Sequence, residues 1–227
     1  NDGAAGPGDL VTGGDTVLAA AAGDVTARLA SGDVRLADAT QMSAGADIAL
    51  RTDRGDLDAA AATALTAGQD LRIVLPEGAA RFDDAATLAA AGTLRVEARD
   101  GVTGEGLSHL TGTGDVDVTV ATGGADLSHS ARIVSEAGRV DAAVERGDVR
   151  LRDATSITGA TGVGVTVGAG DVALSGTGAG AAGAGAVTAR VTTGDVTLTD
   201  AASIEGATGV DVTVGAGDVA LADMITV

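Results

Sequence analysis

The chain has 227 residues, a formal charge of −18 and no cysteine. Disulfides and thiolate metal sites are thereby excluded, and so acidic a surface repels a phosphate backbone, which argues against nucleic-acid partners. With one aromatic residue, Phe82, and an apolar fraction of 45% carried mostly by Ala, Val and Leu, the chain can fill a thin core many times over but not a wide two-layer one.

Thirty-six glycines against two prolines point to many tight turns. Along the chain one unit recurs, about 23 residues long and clearest at residues 194–214. Its first apolar column runs Val11, Val34, Leu57, Ala80, Val102, Ala125, Val149, Val172, Val196 and Val219, at gaps of 22 to 24 residues. Two positions on, the same face carries Leu36, Ala59, Phe82, Leu127, Leu151, Leu174, Leu198 and Leu221. The second column reads Ala19, Met42, Leu65, Leu88, Leu110, Ile133, Ile157, Ala181, Ile204 and Val227. The third starts at Val25, Ile48, Leu71, Leu94, Val116, Val140, Val163, Val187 and Val210, with period-two partners such as Val118, Val165 and Val212.

Period-two alternation in short runs, with no helical spacing between them, predicts strands with one buried face. Two-residue hairpin turns are missing apart from Asp100-Gly101. The economical solution winds each unit once about an axis and stacks it on the last, so that equivalent strands pair in parallel. The expected fold is all-β: a right-handed parallel β-helix (β-solenoid) with three faces and 9–10 coils, continuous over residues 1–227. The period is not a multiple of six, which argues against a left-handed hexapeptide solenoid. Residues 98–108 and 176–186 are weak, with Gly104 in place of an inward Leu and only Ala181 left in column two; these coils are expected to be narrower or looser. Residues 152–175 and 199–222 match at 19 of 24 positions, which reads as duplication of a two-coil block.

Two acidic columns are the first candidates for chemistry. Gly-Asp steps give Asp33, Asp56, Asp148, Asp171, Asp195 and Asp218; a second column gives Asp15, Asp38, Asp84, Asp153, Asp200 and Asp223. Carboxylates stacked one coil apart repel, and a row of them could hold Ca²⁺; Asp148, Asp171, Asp195 and Asp218 are the candidate ligands. The competing expectation is that each Asp accepts backbone N–H bonds in its own turn. Breaks at Ala79, Gly101 and Gly124, and at Ala61, Gly106 and Gly176, favour turn residues over a required site. His109 and His129 fall near turns about a coil apart without the partners that zinc needs. There is no Gly-x-Ser-x-Gly elbow, so no catalytic or cofactor-binding residue is expected. The outward positions of column three are too mixed for an ice-matching Thr face; among them Arg72 and Arg95 neighbour Glu97 and should form ion pairs.

The recurring Gly-Asp-Val-x-Leu and Val-x-Val runs, in coils of this length, resemble the repeat regions of filamentous-haemagglutinin-like exoproteins, bacterial adhesins of the two-partner secretion class. The resemblance spans essentially the whole chain. It implies a β-helical shaft exported to the cell surface for adhesion or biofilm formation, and it transfers no binding residue. No secretory signal, transit peptide or transmembrane span is visible, and a start at Asn1 without Met reads as a processed protein or part of a longer one. The expected function is therefore structural and not enzymatic: an extracellular rod that continues in more chain or stacks end to end, with a surface glycan or cell receptor as the outside partner. The alternatives are a carbohydrate-binding or carbohydrate-active β-helix, and a calcium-stabilised surface-layer protein.

Overall fold

The computed structural model describes residues 8–222, which form strands and turns and no helix. Each coil contributes three strands, as in the first: Leu10–Thr12, Val17–Ala20 and Val25–Leu29. Equivalent strands pair in parallel from coil to coil. Sheet 1, from Leu10–Thr12 to Val219–Leu221, has ten strands; sheets 2 and 3 have nine each. Nine spacings in sheet 1 make a rod about 43 Å long. The fold is the expected three-faced β-solenoid with about 23 residues per coil.

The three apolar columns form its core. Leu36, Phe82, Leu65, Leu88, Leu71 and Leu94 are all under 2% exposed. Alternation places every second strand residue there, as in Ile48–Thr52, where Ile48, Leu50 and Thr52 are buried between partly exposed neighbours. Sheet 3 strands lengthen from five residues in the first four coils to seven or eight from Val116–Thr122 onward.

In the first coil the register corrects the expected columns by one residue. Leu10, not Val11, aligns with Val34, and Leu18, not Ala19, aligns with Met42. That coil carries one extra residue, so counting back by 23 lands on the outward neighbour, and a one-residue slip exchanges the two faces of a strand. Likewise Gly14, not Asp15, takes the turn position of Asp38: both have left-handed φ, 64° and 54°. Gly180, not Ala181, aligns with Ile157 and Ile204. Val227 and Asp223 lie outside the described residues.

The two weak coils keep their pairing but solve the missing side chain differently. At Gly104 the space is taken: an added Cβ would come within 2.8 Å of Leu127 Cδ2 and 3.1 Å of Ser108 Oγ. At Gly180 it would meet nothing within 4 Å, and a small, wholly apolar cavity of about 20 Å³ remains among residues including Ile157, Leu174 and Ile204. Gly180→Ala should therefore raise stability by about 1 kcal/mol, from one buried methyl and a less flexible unfolded chain, whereas Gly104→Ala should not. Urea midpoints of the two variants check this. Two core hydroxyls, Ser108 Oγ and Thr155 Oγ1, have no hydrogen-bond partner, whereas Thr40 and Thr63 at the same corner donate to Ala37 and Ala60 carbonyls.

Candidate functional site

The repeat concentrates its chemistry at the corners and on the outward rows. At the corner from sheet 3 to sheet 1, Gly-Asp carboxylates accept the backbone N–H of the equivalent residue one coil later. Asp33 Oδ1 takes the Asp56 N–H at 3.0 Å, Asp148 that of Asp171 at 2.9 Å, Asp171 that of Asp195 at 2.8 Å, and Asp195 that of Asp218 at 2.8 Å. Asp56 does the same for Ala79, which has no carboxylate to pass on. The expectation of N–H bonds within the Asp's own turn is corrected: the bond crosses between coils, because parallel stacking sets the next amide directly over the carboxylate.

A second ladder was missed in the sequence. At the corner from sheet 2 to sheet 3, Asp24, Asp47 and Asp70 accept the N–H groups of Asp47, Asp70 and Thr93, and Asp115 accepts that of Arg139. The signal was present, since Gly23-Asp24-Val25 and Gly114-Asp115-Val116 repeat the Gly-Asp-Val step before column three. At the remaining corner the direction reverses: Asp153 Oδ2 takes the His129 N–H of the preceding coil, and Asp200 Oδ2 that of Gly176. This column, with Asp38, Asp84, His129, Asp153 and Asp200, sits at φ between 48° and 64°, where Asp is tolerated and Gly106 and Gly176 substitute freely. His129 is thus a turn residue whose Nδ1 lies 3.2 Å from Ser128 Oγ, and His109 starts a strand on the outward side of sheet 2.

The four candidate Ca²⁺ ligands accordingly fall in one row at one corner, where Asp148, Asp171 and Asp195 each spend Oδ1 on an amide. Among the described residues no group of three or more His, Asp or Glu side chains gathers as a metal site would require. Asp171→Ala should lower stability by about 1 kcal/mol, while Asp171→Asn, which keeps an acceptor oxygen, should retain most of it. Melting curves with and without a chelator check this: a cation site would make the two variants equally damaging and the wild type chelator-sensitive.

Charged side chains cover the strands. On sheet 1 Arg81 bonds Asp56 and Asp58 at 3.2 and 3.0 Å, Arg35 bonds Asp33 at 2.7 Å, and Arg152 bonds Asp126 of the preceding coil. On sheet 3 Glu97 receives both Arg72, at 2.9 Å, and Arg95, at 2.7 Å, as the sequence predicts. Open grooves of about 500 and 240 Å³ flank Val74 on this face, with Arg28, Arg51, Arg72 and Arg99 on their walls. Val74 points outward yet is 8% exposed, under the arginine stems.

Two carboxyls are held against their charge: Asp117 on the outward side of sheet 3, whose pKa is raised first by burial, and Asp83. Asp83 has its pKa raised, first by burial and then by Glu105, Asp84 and Asp58. A carboxyl that binds its proton more tightly when folded adds stability below the ordinary carboxylate range, and that contribution is lost as pH rises through its folded pKa. At neutral pH the Asp83 charge therefore weakens the fold. Asp83→Asn should raise stability there by on the order of 0.5 kcal/mol after solvent screening, and the gain should vanish below about pH 4. Paired melting curves across that range test the sign.

Comparison of the chain with protein-family models, with curated proteins and with solved structures finds no match. No helix among the described residues is long and apolar enough to cross a membrane.

Proposed function

We propose that this chain is a segment of an extracellular rod, an adhesin-type shaft working in surface attachment or biofilm formation. The observation that carries the reading is continuity. Three parallel ladders run through nine successive coils, and carboxylate-to-amide bonds tie coils along their corners. Each coil touches only its neighbours, so load along the axis is shared by many backbone hydrogen bonds. At the ends of the described stack inward-row side chains are exposed, Leu18 at one and Val219 and Leu221 at the other, and a further coil of the same chain or another copy stacked there would cover them. The Gly-Asp-Val-x-Leu resemblance supports export to a cell surface.

The test is made on the source cells. Protease treatment of intact cells should release fragments of this rod, and deleting its coding segment should reduce attachment to surfaces. A protein that stays protected inside intact cells, or a deletion that leaves attachment unchanged, would sink the reading.

A further inference from the structure

The outward face of sheet 3 carries a charge pattern that complements itself end for end. One row, read through coils 1 to 8, is Thr26, Ala49, Arg72, Arg95, Asp117, Asp141, Gly164 and Thr188, and the strand register fixes this order. Reversed, the row sets arginine against aspartate and small residues against small ones. The row beside it, Asp24, Asp47, Asp70, Thr93, Asp115, Arg139, Gly162 and Ala186, complements itself about the same midpoint, with Asp70 opposite Arg139.

We propose that two copies of this chain pair face to face through sheet 3, antiparallel, about a two-fold axis between the strands Leu94–Ala98 and Val116–Thr122. Such an axis lies in the plane of the faces and along the strands, so each row meets itself reversed. It joins Arg95 to Asp117, Arg72 to Asp141 and Asp70 to Arg139, each twice by symmetry. The flanking row sets Val74 against Ala143, Glu97 against Thr119 and Arg51 against Thr166. The one opposed like pair on these rows, Arg28 with Arg190, lies at the outer edge of the contact.

The pattern also selects against neighbouring registers. Moving the axis half a coil one way keeps Arg72 opposite Asp117 and Asp47 opposite Arg139 but sets Arg95 and Glu97 each on itself and Asp70 on Asp115; half a coil the other way keeps Arg95 opposite Asp141 but sets Asp117 and Asp115 each on itself and Arg51 on Arg190. A full coil opposes Arg72 to Arg95, or Asp117 to Asp141. Parallel pairing brings the two rows of a coil together and leaves a single opposite pair, Arg95 with Glu97. Like charges in contact cost several kcal/mol across an interface, so one arrangement stands apart.

Size is adequate for a reversible pair. Eight strands at about 4.8 Å spacing and about 16 Å of strand give roughly 600 Å² per copy, near the lower bound for specific interfaces. The present partners, Glu97 for both Arg72 and Arg95 and Arg139 for Asp141, form surface pairs worth at most about 1 kcal/mol each, so they do not bar the exchange.

Sedimentation equilibrium of the 227-residue chain should show reversible dimers at twice 21.6 kDa. The pair Arg72→Asp with Arg95→Asp, and separately Asp117→Arg with Asp141→Arg, should each weaken self-association at least about 100-fold while keeping the wild-type circular dichroism. Mixed in equal amounts, the two variants should associate one to one, because each then supplies what the other lacks. As a measurement that needs no charge reversal, Thr119→Cys, one coil from its own symmetry mate, should be cross-linked between copies by a short bismaleimide; Thr26→Cys, about 34 Å from its mate, should not. A wild type that stays monomeric overturns the proposal. So do charge variants that dimerise like wild type, which would place the contact at the ends or on another face, folded variants that fail to combine, and cross-linking at Thr26→Cys as efficient as at Thr119→Cys.

Discussion

Gly194→Ala is expected to lower stability by about 3–5 kcal/mol, a large loss for one methyl group on a turn. Two effects add. Gly194 has φ 137°, a conformation that L-residues occupy only under strain of about 1–3 kcal/mol. In addition, its Cβ would fall on the carbonyl oxygen of Gly170, the equivalent glycine one coil back, so the backbones must part. Parting them breaks the bond that ties these two coils at the corner, Asp171 Oδ1 to the Asp195 N–H. Gly209 separates the two effects. Its φ is 139°, but a Cβ there meets nothing within 4 Å, so Gly209→Ala should show the conformational strain alone. Denaturation midpoints of both variants give the difference. Amide exchange at Asp195 should quicken in Gly194→Ala and stay unchanged in Gly209→Ala. Equal losses in the two variants would mean that coil-to-coil contact at this corner is unimportant.

The same corner shows what the sequence could and could not convey. The Gly-Asp step reads from sequence as a turn with a replaceable carboxylate, and the replaceability is real: Ala79, Gly101 and Gly124 occupy the Asp position in three successive coils. What the sequence hides is the partner. The Asp171 acceptor and the Asp195 amide lie 24 residues apart, and nothing local in the chain says that the bond crosses the stack. The ladder through Asp24, Asp47, Asp70 and Asp115 was hidden otherwise: its preceding residue varies from Gly to Ala to Gln, so it did not announce itself as a motif. The columns were legible because a solenoid core keeps one face of each strand apolar, coil after coil. They failed only where that signal fails. At Leu10-Val11 and Leu18-Ala19 both neighbours are apolar, and at Gly180 the inward residue has no side chain to see. The sheet 3 face was legible residue by residue and opaque as a pattern. Its row appeared mixed when judged for uniformity, and its meaning lies in the order of charges about a midpoint.

Phe82 carries the second large effect. It is fully buried, and its register neighbours are Ala59 on one side and Gly104 on the other. The column therefore reads Leu36, Ala59, Phe82, Gly104 and Leu127, with the largest side chain between the two smallest. Size alternates along the axis, with the ring beside the small Ala59; at Gly104 the nearest side chains are instead Leu127 and Ser108. Phe82→Ala should cost about 3–5 kcal/mol, since two small neighbours cannot close the hole. Ala59→Leu alone should cost about 1–3 kcal/mol by overpacking against the ring. Combined as Ala59→Leu with Phe82→Leu, the column returns toward uniform leucine, and the loss should fall short of the sum of the single changes by at least about 1 kcal/mol. A double-mutant cycle in urea measures that coupling. Additivity within about 0.5 kcal/mol would show that Phe82 fills its own coil only, and that each turn of this solenoid packs independently of the side chains stacked against it.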